Sequence, residues 1–225
     1  MSVLYIVATP IGNLEDISKR ALRTLSEVDL ILCEDTRVTK KLLDHYQVKT
    51  SVISYHQHSK INKIEYIIGL LKDGKNLALV SDAGTPGISD PGGKLISEVY
   101  KLGFKICPIP GASAVITAAS ISGFPTDRFL FMGFPPQKKK RKKFFEEAVG
   151  SKYPVVFYES TYRILKTLEE LKEMDSKLIL IVCRELTKKF ETIYRGEIGE
   201  VIKEIKKGET RGEFVVVLGG KSMIK

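Results

Sequence analysis

The 225-residue sequence predicts an α/β protein made of two α/β domains. Three observations carry that prediction. From Val3 to Ile109, apolar runs of strand length alternate with amphipathic helical stretches, the pattern of a mostly parallel sheet with helices on both faces. Pro110-Gly111 ends that rhythm, and hairpin-type connections then predict a mixed α+β sheet. Hydrophobic residues make up 43% of the chain, enough for a sizeable core, yet no run approaches the roughly 20 residues of a membrane span. The boundary is placed between residues 1–112 and residues 113–225.

The elements follow in order. Val3 to Ala8 reads as a buried strand, and the N-terminus MSVLYIVATP lacks the basic flank of a signal peptide. Thr9 to Leu14 is a loop. Ser18 to Val28 is a helix with Ala21, Leu22, Leu25 and Val28 inward. Leu30 to Cys33 is a strand, and Thr36 can cap the helix that runs to about Tyr46. Ser51 to Ser54 is a third strand. Lys60 to Lys72 is a helix with Ile61, Ile64, Ile68 and Leu71 inward. Asn76 to Val80 is a buried strand, and Lys94 to Leu102 a helix with Leu95, Ile96, Val99 and Leu102 on one face. Lys105 to Ile109 is the fifth strand.

In the second part a helix lies near Ala112 to Ser120, and Arg128 to Gly133 is a strand. Phe144 to Val149 opens or continues a helix. Val155 to Tyr158 is a strand, and Tyr162 to Met174 a helix with Ile164, Leu165, Leu168 and Leu171 inward. Leu178 to Cys183, Thr192 to Arg195 and Glu213 to Leu218 are strands, and Ile198 to Lys206 is a helix.

Charge is unevenly placed. Residues 1–112 hold 14 Lys and Arg against 12 Asp and Glu, and residues 113–225 hold 22 against 15, so most of the net +9 lies in the second part. Nucleic acid is the first partner to consider and an anionic membrane surface the second. Cys33, Cys107 and Cys183 are far apart in apolar runs, as buried free thiols of a cytosolic protein are. His56 and His58 make a poor metal site without a third ligand.

The most informative stretch is Val80 to Gly93, VSDAGTPGISDPGG, a loop between a strand and a helix. In open α/β sheets such loops lie where ligands bind. Its four glycines and two prolines allow sharp turns and close approach, and Asp82 and Asp90 suit a neutral or cationic ligand better than a phosphate. Phosphate-loop, dinucleotide-binding and nucleophile-elbow motifs are absent, which argues against nucleotide hydrolysis, dinucleotide binding and α/β-hydrolase chemistry. Glu34-Asp35-Thr36-Arg37 ends a strand at the same sheet edge. It reads either as acid/base or positioning groups, or as a cap with a surface ion pair. Arg184-Glu185 is similarly ambiguous, and Glu159 reads by default as a helix-start carboxylate. Lys138 to Lys143, KKKRKK, is a solvated helix start, a nuclear-import patch or a phosphate-contacting surface.

Taken together, these stretches resemble a known family. They are Thr9-Pro10-Ile11-Gly12-Asn13-Leu14-Glu15-Asp16-Ile17, Glu34-Asp35-Thr36-Arg37, Ser81 to Pro91, Pro110-Gly111-Ala112-Ser113-Ala114, Phe157-Tyr158-Glu159-Ser160 and Arg184-Glu185-Leu186-Thr187-Lys188. In this order, over nearly the whole chain, they resemble the tetrapyrrole methylase superfamily. Within it they are similar to the small-subunit ribosomal RNA 2'-O-methyltransferases that modify a cytidine in 16S rRNA. The resemblance implies two α/β domains with S-adenosylmethionine in the cleft between them, and a cytoplasmic homodimer. It places Asp82 and Gly84-Thr85-Pro86 at the cofactor, with Pro10, Ile88, Ser113 and Ala114 lining its pocket. Tyr158 and Gly212-Glu213-Phe214 would close that pocket. The family often continues Phe-Tyr-Glu-Ser with Pro-His-Arg, whereas Thr161-Tyr162-Arg163 stand here, so no histidine is available at that place. Asp35 and Glu159 are then the candidate catalytic bases. Arg37, Arg163, Arg184 and Lys138, Lys139, Lys140, Arg141, Lys142 and Lys143 are the candidate RNA contacts. The chemistry requires no metal. The alternative is a methylase of a small corrin or porphyrin with the same fold, and a third reading is a non-catalytic RNA-binding protein.

Overall fold

A computed structural model of the chain describes residues 2–56 and 61–220, with only the backbone of Ile61. The predicted roles of His58, Lys60 and the Ile61 side chain therefore lie outside the described residues. The chain forms two compact units, Met1–Ser113 and Ala114–Lys225.

The first unit contains β1 (Val3–Val7), α1 (Lys19–Glu27), β2 (Leu30–Cys33), α2 (Thr36–His45), β3 (Val52–Ser54), α3 (Ile61–Lys72), β4 (Leu77–Leu79), α4 (Gly93–Lys101) and β5 (Lys105–Ile109). Its five strands pair in the order β3-β2-β4-β1-β5, every pair parallel. Alternation along the strands divides the core into two layers. Val7, Ile31, Cys33, Ala78 and Val80 pack with Ala21 and Leu25 of α1 and Leu43 of α2. Leu4, Leu32, Leu77 and Leu79 pack with Ile64, Ile67 and Leu71 of α3 and Leu95 and Val99 of α4. The predicted covering of both faces is thus realised.

Local chemistry sets the helix starts. Ser18 caps α1 by accepting the Ala21 amide at 3.0 Å. Asp35, not Thr36, caps α2: its backbone is extended and its carboxylate accepts the Arg37 amide at 2.8 Å. Leu102 is exposed rather than inward, because α4 ends at Lys101 and Leu102 lies past its last turn. Cys107 is only half-buried, because β5 is an edge strand.

The second unit contains α5 (Ala114–Ser120), β6 (Leu130–Phe131), α6 (Arg141–Gly150), β7 (Val155–Ser160), α7 (Ile164–Met174), β8 (Ile179–Arg184), β9 (Thr192–Glu197), α8 (Ile198–Lys207) and β10 (Glu213–Leu218). Its sheet has the order β6-β7-β10-β8-β9. Only β6 and β7 are parallel, so it is the mixed sheet that was expected. Val155, Phe157, Leu180, Val182, Phe214, Val216 and Leu218 face α6, α7 and α8 in one dense core. Among the described residues no helix is long and apolar enough to cross a membrane.

Candidate functional site

In an all-parallel sheet every strand ends at the same edge, so the loops after β1, β2, β4 and β5 converge in the first unit. The loop after β4 is their hub. Thr9 and Gly84 form an isolated antiparallel bridge: the Thr9 amide donates to the Gly84 carbonyl at 2.9 Å, and the Gly84 amide donates back at 3.1 Å. The Thr9 hydroxyl donates to the Ser81 carbonyl at 3.1 Å. The Thr85 hydroxyl reaches the Ala112 carbonyl at 3.3 Å, tying in the loop after β5. The Asp35 amide donates to the Asp82 carboxylate at 3.0 Å, tying in the loop after β2.

Gly84 has φ +81°, and a Cβ there would lie 3.3 Å from Ile11 Cγ2. A side chain there is strained by conformation, and its Cβ fits only if the Ile11 side chain gives way by a few tenths of an ångström. Pro10 and Pro86 are buried, Thr85 and Ser113 half-buried, and Ile88 is 56% exposed. Ala114 is half-buried and opens α5.

The edge is acidic. Burial, and then the charges of Asp82 and Asp90, push the Glu34 carboxyl up. Burial pushes Asp90 up, aided by Asp82 and opposed by a hydrogen bond from Ser81. Asp35 behaves oppositely. Its bidentate contact with Arg37, 2.6 Å at the closest, holds it well below the usual carboxylate range. A carboxylate so held is a weak base, which removes much of the case for Asp35 as proton acceptor. The Arg37 side chain is 86% exposed. Glu34 and Asp90, two carboxylates raised by partial burial, complete a cluster that attracts a cation and repels a phosphate.

The second unit buries several of the residues read as candidate site groups, two of them through strand alternation. Strand residues alternate faces, so Glu159 continues the inward set of Val155 and Phe157, and Arg184 continues that of Leu180 and Val182. The Glu159 side chain is fully buried and its oxygens are occupied. It accepts from the Ser160 amide at 2.8 Å and the Thr167 hydroxyl at 2.6 Å, and it pairs with Arg163 at 2.9 Å and Arg141 at 3.9 Å. This is a structural carboxylate, not a base facing a substrate.

Arg141, read as part of the basic run, turns inward. It bonds Glu170 at 2.8 Å, Thr167 at 2.7 Å and the Pro136 carbonyl at 3.1 Å, and lies over the Phe145 ring. Arg163 joins the network and donates to the Pro135 carbonyl at 3.3 Å. Arg184 is buried and donates to the Arg211 carbonyl at 2.7 Å and the Phe190 carbonyl at 3.2 Å. These arginines hold loops and do not offer themselves to phosphates. Phe214 belongs to the core, so only its backbone could meet a ligand. Tyr158 faces the other side of β7, its ring 5.1 Å from Phe131 and 5.2 Å from Phe134. Glu213 is exposed, and Gly212 (φ +121°) has no room for a Cβ, which would lie 2.6 Å from Glu185. Lys138, Lys139, Lys140, Lys142 and Lys143 are exposed. Among the described residues no group of three His, Cys, Asp or Glu could hold a metal.

Comparison with known proteins follows this geometry. The chain is 46% identical over 218 residues to the ribosomal RNA small subunit methyltransferase I of Halalkalibacterium halodurans, covering 96% of this chain and 75% of that protein. It is 44% identical to the protein of that name from Thermotoga maritima, covering 98% of this chain and all of the relative. Among solved structures, the methyltransferase CobJ superposes with a TM-score of 0.71 at 18% identity, over 98% of this chain and 95% of that one. Diphthine synthase superposes with a TM-score of 0.71 at 16% identity, over 97% and 90%. These two show a shared fold. The sequence profile of the Tetrapyrrole (Corrin/Porphyrin) Methylases matches residues 3–202, and this chain belongs to that family.

Proposed function

We propose that this protein transfers a methyl group from S-adenosylmethionine to the ribose 2'-hydroxyl of a cytidine in 16S ribosomal RNA. The near full-length identity of 44–46% to bacterial proteins named ribosomal RNA small subunit methyltransferase I carries this reading. The first unit's edge fits the cofactor in kind. S-adenosylmethionine bears cationic groups and no phosphate, matching four carboxylates around a glycine-permitted backbone. Gly84, Thr85 and Pro86 would hold it, with Pro10, Ile88 and Ser113 beside them. When bound, it supplies an electrophilic methyl group. The protein's part is to hold the ribose hydroxyl in line and exclude competing water. The protein would work in the cytoplasm on the small ribosomal subunit, as a homodimer.

The deciding experiment incubates the protein and cofactor with small ribosomal subunits and, separately, with tetrapyrroles. Methylation mapped to a cytidine ribose supports the reading, and methylation of tetrapyrrole alone replaces it with the corrin or porphyrin alternative. Calorimetry showing no heat with S-adenosylmethionine would make the protein a non-catalytic RNA binder.

Two further outcomes are expected. Glu34 and Asp90 have raised pKa values, so they take up protons at higher pH than ordinary carboxylates. Their attraction for a cationic cofactor is complete above those raised values and is lost as pH falls through them. Cofactor affinity should therefore drop on mild acidification, and an affinity flat with pH would contradict the assignment. Replacing Lys139, Lys140 and Lys142 with Gln should flatten the slope of log RNA affinity against log salt by roughly 0.7 per lost single-strand contact. Cofactor affinity should stay unchanged. Equal slopes for variant and parent would remove the lysines from the RNA surface.

A further inference from the structure

One edge of the second unit's sheet collects aromatic side chains that the core does not use. β7 and β8 both end where β10 begins, with Ser160 opposite Glu213 and Arg184 opposite Phe214. β6 runs parallel to β7 but pairs only with its start, Phe131 opposite Val156; the chain after it continues toward the same edge, where the Gly133 carbonyl accepts the Tyr158 amide at 2.9 Å. The residues just past these ends include Tyr162, 96% exposed, Phe190, 65% exposed, and Phe134, 54% exposed. Singly exposed rings are ordinary, and these three follow strands that run toward one edge of one sheet.

Side-chain hydrogen bonds hold the backbone that presents these rings. The Gly212 amide donates to the Thr161 hydroxyl at 2.8 Å, pinning the turn that carries Tyr162 to the start of β10. Arg184 grips the carbonyls of Arg211 and Phe190 together. Arg163 grips the Pro135 carbonyl beside Phe134. Charge is arranged to match. The Lys189 ammonium lies 5.6 Å from the Phe190 ring centroid, and Arg211 is exposed on the neighbouring loop. The carboxylates of Glu185 and Glu213 both pair with Lys188 at 2.9 Å. One ammonium against two carboxylates leaves that cluster with one negative charge, so the cations that could meet phosphates are Lys189 and Arg211. Exposed aromatic faces beside such cations are what unpaired nucleotides need, because bases stack on the rings.

We propose that this edge binds unpaired RNA and that Tyr162 is the platform on which one base stacks. The proposal rests on the ribosomal RNA reading above and adds the segment that grips the RNA strand.

The test measures binding of a fluorescein-labelled, unstructured oligocytidine RNA to the full-length protein by anisotropy. Tyr162→Ala should weaken binding about 5- to 140-fold, the range expected for one lost base stack. Tyr162→Phe, which keeps the ring, should retain near-parental affinity. The salt slope of Tyr162→Ala should match the parent, because no phosphate contact is lost. Its thermal midpoint should also match, because the ring is exposed. If the parent binds this RNA and methylates small subunits while Tyr162→Ala binds equally well, this inference alone is overturned. If the parent binds no RNA, the ribosomal RNA reading falls with it. If Tyr162→Ala alters sedimentation and leaves RNA affinity alone, the edge is a contact between copies and the inference is overturned.

Discussion

Gly84→Val should abolish cofactor binding while the protein still folds. At φ +81° a β-branched residue adopts a conformation that costs about 1–2 kcal/mol. Its Cβ would start 3.3 Å from Ile11 Cγ2, and two further methyl carbons must find room where the loops after β1 and β4 are bridged. The loop has to move, and the Thr9–Gly84 hydrogen bonds go with it. That local loss lies within the roughly 5–15 kcal/mol margin of a folded domain, so cooperative unfolding should persist. The cofactor, in contrast, would depend on the backbone at this place. A displacement near 1 Å at a positioning site costs on the order of 100-fold in turnover. Gly84→Ala, with one methyl group, should fall between parent and Val. Calorimetry with S-adenosylmethionine and a denaturant melt decide the matter. Parental affinity in the Val variant would show that this turn does not hold the cofactor.

Glu159→Ala should destabilise the second unit strongly. It takes from Arg163 the carboxylate that it meets at 2.9 Å and that has no exposed side-chain surface, while Arg141, 3.9 Å from Glu159, keeps its closer partner Glu170 at 2.8 Å. Removing one member of a buried charge network costs about 3–5 kcal/mol, chiefly because the remaining charge stays buried without its partner. The Thr167 hydroxyl and Ser160 amide lose an acceptor as well. Arg141 and Arg163 hold the carbonyls of Pro136 and Pro135, so the basic segment that follows should loosen, and RNA affinity should fall with stability. The competing role, a catalytic base, makes the opposite forecast. In that case Glu159→Gln would leave the denaturant midpoint unchanged and collapse kcat alone. A double change, Glu159→Leu with Arg163→Leu, removes the closest pair together and should recover part of the lost stability, as swapping buried ions for apolar groups does.

The same network shows where reading along the chain fails. KKKRKK looks like six equivalent surface charges, yet its fourth member is buried against the Phe145 ring. Arg141 is the first residue of α6, and Phe145 and Ala148 follow it at helical spacing on the buried face. That spacing was available in the sequence, but a charge run hides it. Glu159 and Arg184 lie just past the strands read from the sequence, Val155 to Tyr158 and Leu178 to Cys183; in the structure both strands run on, and alternation carries the two residues to the inward face.

Local pattern by itself determined that this chain is an α/β protein with a parallel first sheet and a mixed second one. Those features follow from apolar periods of two and 3.6 residues and from turn chemistry, which act over a few neighbours. The order of its motifs likewise marked its family. The tertiary structure alone decided which loops meet. The order β3-β2-β4-β1-β5 seats β4 between β1 and β2, so the loop holding Gly84 can bond both Thr9, 75 residues earlier, and Ala112. It likewise decided that Glu159 finds Arg141 and Thr167 in the core, while Tyr162, three residues later, faces solvent. Strand order and burial are set by contacts far apart in the chain, and no local window of sequence contains both partners.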